Sequence, residues 1–550
     1  MVLQVRSRFL FFLSVFLAFL PLEGCSSSTP RSAETAPIAG APPAGAAPPP
    51  AQVQTPQLKQ TLAGGGEGWL GSPAAADLDG DGRMEIIAPR GGFLFVWHAD
   101  GTLFWKAAYG FSAETSPATI SGRIWGPPVV ADLDGDGKLE IAAGSHKETL
   151  SVWSWDGKMK AGWPKIVGGE AGSADREIRS LAAGPLGNGK SVLLASRTRT
   201  TKVPVAFLLD SQGTVLPGWP QLAASGGCVL LPAQDANCFE AGTYNQNVGL
   251  ADLDGDGKTD AIIGYDNAYV GLFHMSGVPF GTPFLNRPFF PGVPAFHDPA
   301  LAIQGFGPDG EDRSEFTDSP PVVADLDGDG ARELILVGDH ERAGITTLLG
   351  NSLFVFRPDA TRFPGFERPF ETRGHHSPRV TEDPGGNIVD VTPAPAVADL
   401  DGDGKKEIVF PAYDGVLYAV HSDGQLFWTF SFADLGARFA SEPVVADLNN
   451  DGIPEVLFAT YETEGEKGAL VILNHLGAEM TKVPLPGRGA MAAPTLADLD
   501  GDGELEAIVS LKDVSSRGGV QIYALPGSKA NQVLWPTGRG NFLRNGEATD

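Results

Sequence analysis

The sequence predicts an all-β fold in which a unit of four strands is repeated around a closed ring. Three observations support this prediction. A short acidic motif, Asp-Leu-(Asp/Asn)-x-Asp-Gly, occurs seven times in the 550 residues. An apolar run and a hairpin signal follow it in each repeat, and an eighth unit keeps this arrangement without the acids. Four strands per unit, repeated eight times, predict a β-propeller of eight blades.

The acidic motif has the composition of a calcium-binding loop. In every copy an acidic residue stands eight positions after the first Asp, at position 9. Oxygens at positions 1, 3, 5 and 9 converge on one ion if the loop turns sharply, and the Gly at position 6 permits that turn because it tolerates positive φ. Calcium takes six to eight oxygen ligands. The alternative, an acidic turn that binds nothing, needs no acid so far downstream.

Position 7 is expected to add a backbone carbonyl, so each loop has five predicted ligands and the chain binds about seven calcium ions. At positions 1, 3, 5, 7 and 9 the predicted ligands are Asp77, Asp79, Asp81, Arg83 and Glu85; Asp132, Asp134, Asp136, Lys138 and Glu140; Asp252, Asp254, Asp256, Lys258 and Asp260; Asp325, Asp327, Asp329, Ala331 and Glu333; Asp399, Asp401, Asp403, Lys405 and Glu407; Asp447, Asn449, Asp451, Ile453 and Glu455; and Asp498, Asp500, Asp502, Glu504 and Glu506. An EF-hand would need a Glu at position 12 and flanking helices. Position 12 of the first loop is Ala88 and the flanks are short, so these loops are expected between the first and second strands of each blade.

The charge of the chain excludes one class of partner. The formal net charge is −27, and the acids at positions 1, 3, 5 and 9 of the seven loops also number 27. The remainder is therefore formally neutral and carries no basic patch, so nucleic acid is not an expected partner.

The first 62 residues are interpreted as an export signal and a tether. Arg6 and Arg8 precede a short apolar run at residues 9–20, as in a secretory signal comprising residues 1–24. Its end, Gly24-Cys25, resembles a bacterial lipobox, which implies lipid on Cys25; an ordinary signal peptide with a chance Cys is the alternative. Residues 25–62, rich in Ala, Pro and Ser, predict a tether, and residues 63–550 the propeller. The expected location is a bacterial outer membrane or cell surface.

Hairpin signals mark the third and fourth strands of each unit. Asp-Gly stands between apolar runs at residues 94–105, 150–158 and 417–428, and weaker versions lie at 206–215, 270–279, 353–363, 470–480 and 520–533. These eight hairpins exceed the seven acidic loops by one. The unmatched unit has Gly184, Leu186, Asn188 and Val192 at the ligand positions, so it is expected to hold no metal.

The order of the strands separates two faces of the ring. Calcium loops and hairpin turns share one face, here called the calcium-loop face, and the other connections share the long-loop face. Long insertions at residues 107–125, 221–247, 284–318, 367–390 and 431–442 fall on the latter, and loops of such length are often functional. The insertion at 221–247 contains Cys228 and Cys238, which form a disulfide or remain as two free thiols.

Six residues that just precede inner strands are expected around the mouth of the channel, where they either bind a ligand or cap the ring. These residues are Trp125, Tyr244, Asn247, Asp318, Asp390 and Glu442.

The repeats resemble the FG-GAP/VCBS repeats of bacterial surface proteins and of the integrin alpha-subunit head. Ala-Asp-Leu-Asp-Gly-Asp-Gly-Lys-x-Glu-Ile is the core that carries the resemblance, over about residues 65–535. The resemblance implies a propeller with calcium held in the loops between strands 1 and 2. It implies no activity. The integrin-type propeller has seven blades, so seven is the alternative number.

No catalytic motif stands out in the sequence. Gly-x-Ser-x-Gly, His-Glu-x-x-His and phosphate loops are absent, and His375-His376 is interpreted as an exposed loop and not as a metal pair. The predicted function is a calcium-stabilised, non-enzymatic binding module that recognises a protein or glycan and reaches the membrane through its lipid. The alternatives are a polysaccharide lyase, because some lyases use calcium-bearing eight-bladed propellers, and a purely structural surface module.

Overall fold

The computed structural model describes most of the chain after the N-terminal 51 residues. The described residues are 52–62, 64–110, 124–168, 176–198, 204–220, 246–265, 269–278, 292–294, 297, 312–316, 319–342, 350–359, 361–372, 374, 392–437, 439–462, 468–513 and 518–548. Cys25, Cys228, Cys238, Tyr244, Asp318, Asp390, His375 and His376 lie outside them. Pro50–Asp550 forms one compact unit.

The fold is an eight-bladed β-propeller of antiparallel sheets, which confirms the predicted class and blade number. Blades 1 to 4 contain the following strands, numbered in chain order: β2 (Ala74–Ala76), β3 (Glu85–Arg90), β4 (Phe93–Trp97) and β5 (Leu103–Ala108); β6 (Val129–Ala131), β7 (Glu140–Ser145), β8 (Thr149–Ser154) and β9 (Lys165–Ile166); β10 (Ile178–Gly187), β11 (Lys190–Arg197) and β12 (Ala206–Leu209); β13 (Val248–Ala251), β14 (Asp260–Gly264), β15 (Tyr269–His274) and β16 (Gly292–Pro294).

Blades 5 to 8 complete the ring, and the last of them also uses the first strand of the chain. Their strands are β17 (Asp312–Glu315), β18 (Val322–Ala324), β19 (Glu333–Arg342), β20 (Asn351–Phe356) and β21 (Phe370–Glu371); β22 (Ala396–Ala398), β23 (Glu407–Pro411), β24 (Val416–Val420) and β25 (Leu426–Ser431); β26 (Phe439–Ala440), β27 (Val444–Ala446), β28 (Glu455–Tyr461), β29 (Ala469–Leu473) and β30 (Glu479–Pro484); β31 (Thr495–Ala497), β32 (Leu505–Ser510), β33 (Val520–Leu525) and β1 (Gln57–Leu62). The short strand β34 (Val533–Trp535) follows β33, and within the described ranges the helical structure is one 3-10 turn, Ala433–Leu435. None of the described helical structure is long and apolar enough to cross a membrane.

The first (inner) and second strands pair in the same register in seven blades. The Ala before each acidic loop is the cross-strand partner of the acid at position 9, as in Ala131 with Glu140 and Ala398 with Glu407. The inner strand ends at that Ala and the second strand begins at that acid, so the loop joins two strands that are already paired. Small residues suit the inner strands because these strands crowd together near the axis.

Blade 3 replaces the acidic loop with a tight hairpin. Its first two strands stay paired up to Gly187 and Lys190, and Asn188 and Gly189 both have positive φ, +55° and +74°. Two central residues with positive φ form a type I′ turn, for which Asn-Gly is a preferred sequence. The segment predicted to hold no metal is therefore a two-residue turn without a set of carboxylates.

Apolar packing between blades forms the core. The second and third strands of the blades are almost entirely buried, and the hydrophobic clusters join neighbouring blades; one contains Val337 of blade 5, Phe410 of blade 6 and Phe458 of blade 7. Each blade therefore depends on its neighbours for burial of its faces. A ring of this kind needs every blade, because an open gap exposes two apolar faces at once.

The N-terminal strand closes the ring. Strand β1 pairs antiparallel with β33 and becomes the outer strand of blade 8. The prediction that residues 25–62 form only a tether was wrong at its C-terminal end, because Gln57–Leu62 belongs to the propeller. The prediction of a hairpin at residues 520–533 was also wrong, since β34 pairs with the inner strand β27 of blade 7 and not with β33.

The C-terminal segment, residues 532–548, lies inside the ring along the inner strands. Its backbone carbonyls accept hydrogen bonds of 2.8–3.0 Å from inner-strand N–H groups of six blades. The donors and acceptors are Asp447 to Gln532, Leu496 to Pro536, Val130 to Phe542, Ala183 to Leu543, Leu250 to Asn545 and Val323 to Gly546. Inner strands end at the calcium loops, so this segment fills the channel on the side of the calcium-loop face.

Tryptophan side chains connect neighbouring blades at the outer rim. The indole N–H donates to a backbone carbonyl in the next blade at four places, with distances of 2.8–2.9 Å. The pairs are Trp105 to Trp155, Trp163 to Ser211, Trp219 to Met275 and Trp428 to His475. Gly157 and Gly477 lie under the rings of Trp105 and Trp428, where a Cβ atom would come within 2.6 Å of the indole.

Removal of β1 is predicted to open the ring. A chain that starts at residue 63 loses five paired positions with β33 and leaves that strand as an exposed edge. We expect the free energy of unfolding to fall by roughly 3–5 kcal/mol, from about 1 kcal/mol per lost backbone hydrogen bond, and the protein to aggregate through the free edge. Chemical denaturation and light scattering measure both effects. A chain that starts at residue 50 is the control, and equal stability of the two chains would refute the closing role.

The inter-blade tryptophan bond is predicted to contribute to stability. Trp428→Phe keeps an aromatic ring but removes the hydrogen bond to His475, which should cost about 1 kcal/mol, and Trp428→Ala should cost about 3–5 kcal/mol. Leu426→Ala on the same strand is the control, because Leu426 is exposed and its loss should change stability by less than about 0.5 kcal/mol. Denaturant unfolding compares the three variants. A Trp428→Phe protein as stable as the parent would mean that the bond adds nothing.

Candidate metal centres

The seven acidic loops share one hydrogen-bond pattern. The Asp at position 1 accepts from the N–H of the Gly at position 6 in all seven copies, at 2.7–3.0 Å. The side chain at position 5 accepts from the N–H of position 7 in all seven. The Gly at position 6 has φ between +81° and +90°. The loops therefore fold back on their own carboxylates, as the sharp-turn prediction requires.

Position 4 is a second special position, which the sequence reasoning did not single out. Six loops have Gly there with positive φ, and in the remaining loop Asn450 takes the same conformation with φ +60°. Asn tolerates the left-handed region better than most residues. The replacement of Gly by Asn at this one position was the available signal in the sequence.

The acid at position 9 is buried in every loop. All seven side chains belong to residues that are at most 2 % exposed, and each accepts a hydrogen bond from the backbone N–H of position 2 at 2.8–3.2 Å. Burial raises the pKa of all seven carboxyls: to about 6 for Asp260, about 7 for Glu333 and about 8 for Glu455. A raised pKa means that the charged form lacks compensation, which a bound cation supplies.

The donor set fits calcium. Each loop offers only oxygens, and three of the loop carboxylate oxygens are buried without a hydrogen-bond partner: Oδ1 of Asp134, Asp252 and Asp500. The side chains of Asp77, Asp79 and Asp81 bring one oxygen each to within 4.8 Å of the others. Calcium accepts irregular sets of such oxygens. Positions 1, 3, 5 and 9 would hold the ion with the carbonyl of position 7, and the ion would supply the positive charge that these carboxylates lack.

Three histidines approach position 9, and the sequence reasoning missed them. Nδ1 of His98, His274 and His421 lies 2.9–3.0 Å from a carboxylate oxygen of Glu85, Asp260 and Glu407, respectively. Each histidine stands at the same place, three residues before the Gly of the hairpin turn. This recurrence is visible in the sequence and was a usable signal. The contacts also confirm that hairpin turns and acidic loops share one face.

In two other loops a lysine, and not a histidine, contacts the acid at position 9. The ammonium of Lys160 donates to Asp134 and Glu140 at 2.6 and 2.8 Å, and that of Lys59 donates to Asp500 and Glu506 at 2.9 and 2.8 Å. Although burial lowers it, these hydrogen bonds raise the pKa of Lys160 to about 12. The ammonium contacts Oδ2 of Asp134 and Asp500, whereas Oδ1 of each has no hydrogen-bond partner among the described residues. Lysine therefore supplies part of the positive charge that an ion would supply in these two loops. Lys59 lies on β1 and also joins that strand to blade 8.

The described residues among the six predicted for the channel mouth are buried, which is the arrangement expected if they cap the ring. Trp125 is packed between Trp69, with ring centroids 4.2 Å apart, and the guanidinium of Arg179 at 4.0 Å. Asn247 accepts from Ser196 at 2.7 Å and donates to Gly264 at 2.5 Å. Glu442 accepts the backbone N–H of Arg539 at 2.8 Å. The order of the strands predicts that these residues lie at the long-loop end of the channel. It does not predict whether their side chains are buried or exposed.

The channel is filled at both ends in the described structure. Leu70, Phe439, Tyr461 and Met491 form an apolar cluster at the long-loop end, and the C-terminal segment occupies the other end. A cavity of about 10 Å³ lies beside the apolar cluster, and Leu70, Phe439 and Met491 line it together with Glu442. That volume is on the scale of one water molecule.

A groove lies on the calcium-loop face between blades 3 and 4. This groove has a volume of about 610 Å³. Its walls are the Asn-Gly hairpin of blade 3 at residues 185–187, the acidic loop of blade 4 at residues 256–260, and residues 274–276. Leu186 is exposed on one wall, and Asp256 and Lys258 lie on the other. The groove exists because the short turn of blade 3 leaves room that a full acidic loop would fill.

Comparison with known proteins supports the repeat type and the fold. The FG-GAP-like repeat family model matches residues 399–458 and 447–509, which contain three of the seven acidic loops. No curated protein sequence matches the chain closely enough to count as a relative.

Solved propeller structures are similar to the chain only distantly. The biofilm matrix protein Bap1 of V. cholerae is 16% identical, with 83% of this chain and 77% of that chain covered and a TM-score of 0.34. The quinohemoprotein alcohol dehydrogenase ADHIIG of Pseudomonas putida HK5 is 12% identical, with 87% and 77% covered and a TM-score of 0.47. The exotype rhamnogalacturonan lyase YesX is 16% identical, with 81% and 65% covered and a TM-score of 0.28. These values support no inference about activity.

Calcium is predicted to stabilise the fold and to bind at seven sites. Each occupied site adds about 2.7 kcal/mol to the free energy of unfolding when free calcium exceeds Kd a hundredfold. The gain is smaller if Kd is of order 10⁻⁴–10⁻³ M. Chelator should therefore lower the melting temperature, and mass spectrometry of the native protein should count about seven ions. Asp134→Ala should remove one of them.

Asn188→Asp is the matched control for the count. It adds a carboxylate to the blade 3 hairpin, where no other acids converge, so the number of ions should stay the same. An unchanged melting temperature in chelator, or a count of one or two ions, would mean that most of these loops are plain turns.

Proposed function

We propose that the chain is an exported, calcium-stabilised β-propeller that binds a protein or a glycan with the surface of its ring. One observation carries this proposal: residues 532–548 occupy the channel on the side of the calcium-loop face. At the long-loop end the described side chains of Leu70, Phe439, Tyr461 and Met491 pack together. A partner therefore meets the outer surface of a rigid ring, which is the usual arrangement of a binding module built on a scaffold.

The long-loop face is the first candidate for the binding surface. The order of the strands predicts five long insertions there, and connections of this length are often functional. The described part of this face contains a network of ion pairs of 2.6–3.0 Å that joins Glu67, Arg488, Lys512 and Asp513. Variation in the loops can then change the partner without changing the ring. The proposed partners are protein or glycan, and nucleic acid is not among them.

The groove between blades 3 and 4 is the second candidate surface. Its volume of about 610 Å³ falls in the range of small-ligand sites. Exposed Leu186 lies beside Met275 and the charged side chains of Asp256 and Lys258, so the groove combines apolar and charged contacts. It lies on the face opposite the long insertions, and the two candidates can be tested separately.

An enzyme is the competing reading, and the described channel mouth does not favour it. A lyase-like propeller needs accessible basic and acid/base groups at that place. The basic groups found there are engaged: Lys512 is fully buried against Glu67, and Arg90 is fully buried and donates to the carbonyls of Leu511 and Asp513. A purely structural surface module remains the third reading. Lipid on Cys25 would hold the protein at a bacterial membrane in each case.

A paired set of variants of the full mature chain tests the proposal. One variant replaces residues 221–245, on the long-loop face, with a short Gly-Ser linker. The other combines Leu186→Glu with Met275→Glu in the groove. Binding is measured on a glycan array and lyase activity by absorbance of the unsaturated product, after calcium-dependent melting has shown that each variant is folded. We expect binding without lyase activity, and at least a tenfold loss of affinity in the long-loop variant.

Each other outcome has a definite meaning. Loss of binding only in the groove variant would move the surface to the calcium-loop face. Lyase activity in the parent protein would refute the binding-module proposal and support the enzyme hypothesis. A folded parent that binds no glycan and no protein of the cell surface would favour the structural module. Asp134→Ala is the control for stability, because it should weaken binding only as far as it lowers melting.

A further inference from the structure

Blade 5 contains two histidines and a glutamate at a distance from the acidic loops. Strand β19 begins at Glu333, and His340 lies seven residues further along it, roughly 23 Å at the rise of a strand. Ser314 is the cross-strand partner of His340. Two residues before His340 on β19, Gly338 is the cross-strand partner of Ser352, and Ser352 is in turn the partner of Glu371. Residues two apart on a strand share a face, so the side chains of His340, Ser314, Ser352 and Glu371 emerge on one side of the sheet.

His297 completes the cluster from the connection between β16 and β17. Its Nδ1 lies 2.7 Å from Oε1 of Glu371, and its Nε2 lies 3.1 Å from Oγ of Ser314. Its ring is stacked on that of His340, with centroids 4.0 Å apart and an angle of 26° between the planes. One ligand atom from each of His297, His340 and Glu371 lies within 4.8 Å of the other two.

The surroundings of the cluster are asymmetric. His297 and His340 are buried, and the ring of Phe354 packs edge-on against His297 with centroids 5.6 Å apart. The side chain of Glu371 is 49% exposed, so the cluster is open to solvent at this residue. On the same face of the sheet, Oγ of Ser352 is buried and has no hydrogen-bond partner among the described residues. A small ligand can therefore reach the cluster beside Glu371.

We propose that His297, His340 and Glu371 form a binding site for a divalent transition metal of the zinc class. Two imidazoles and one carboxylate are a ligand set that zinc uses with a fourth position open to water or another ligand. Calcium prefers oxygen ligands only, so this site differs in kind from the acidic loops. The open position faces solvent beside Glu371. This assignment does not depend on the proposed binding function.

Binding requires only small side-chain movements. Zinc bonds of about 2.0–2.1 Å in a tetrahedron place ligand atoms about 3.4 Å apart. The 2.7 Å contact between His297 and Glu371 must therefore lengthen by roughly 0.7 Å. The nitrogen of His340, which lies within 4.8 Å of the other two ligand atoms, must come closer by at most roughly 1.4 Å. Ser314 holds the second nitrogen of His297 and so acts as a positioning residue, as outer-sphere partners of metal-bound histidines commonly do.

The test is a titration of the full chain with zinc chloride in saturating calcium, which keeps the acidic loops occupied. Calorimetry should show one zinc ion per chain, and cobalt(II) should give the visible absorption of a low-coordinate site with nitrogen ligands. Glu371→Gln and His340→Ala should each weaken zinc binding at least about tenfold, and Ser314→Ala by about 10–100-fold. Glu371→Gln is the decisive variant, because Glu371 is half exposed and its replacement preserves the fold.

His146→Ala is the matched control. Nδ1 of His146 lies 3.6 Å from Glu177, and this pair has one histidine and one glutamate without a second histidine. Zinc affinity should be the same in this variant as in the parent. The proposal is wrong if the calcium-loaded parent binds no zinc, or if Glu371→Gln leaves both the zinc affinity and the cobalt spectrum unchanged. The cluster would then be a hydrogen-bonded part of the core.

Discussion

Seven buried carboxylates are the constraint on which the ring depends. Each stands at position 9, is paired across the sheet with the last residue of an inner strand, and accepts the N–H of position 2. A buried carboxylate is costly unless it is hydrogen-bonded and compensated by positive charge. Side chains meet part of this requirement for six of the seven: Lys59 and Lys160 donate to two of the acids, histidines contact three, and the amide of Asn449 donates to Glu455. Calcium would satisfy all seven in the same way.

Most of the fold could be predicted because its signals are local. An acidic loop, the strand after it and an Asp-Gly hairpin lie within about thirty residues, and the pairing of Ala131 with Glu140 follows once the loop is recognised. Strand β1 could not be predicted in this way. Its sequence, Gln-Leu-Lys-Gln-Thr-Leu, leaves most residues exposed, and its partner β33 stands more than 450 positions away. A long-range partner gives no signal in the neighbouring sequence, so the strand was taken for the end of a tether.

The candidate sites were predictable to different degrees for a related reason. Loop ligands follow from spacing, because the geometry of a nine-residue loop is set within the loop. For Trp125 and Glu442 the sequence predicts a place around the channel mouth but leaves open whether they bind a ligand or cap the ring, and both are buried. Position along a strand predicts the end of the ring at which a residue lies, whereas its exposure depends on what fills the axis. The filling comes from elsewhere in the chain: Trp69 covers Trp125, and Arg539 covers Glu442.

The axis must be filled because inner strands have an unpaired edge. Their N–H and C=O groups face one another across the channel, and a buried group without a partner costs about 1–3 kcal/mol. Residues 532–548 accept from six of these N–H groups. Arg539 donates to the carbonyls of Leu181 and Val248, and Arg544 donates to those of Ser72, Pro73 and Pro128.

Burial lowers the pKa of Arg539 to about 10 and of Arg544 to about 9, and the carboxylate of Glu442 opposes this shift, so both stay charged at neutral pH. Withdrawal of the segment would leave about a dozen such groups without partners. The segment is therefore a permanent part of the core and not a lid over a channel.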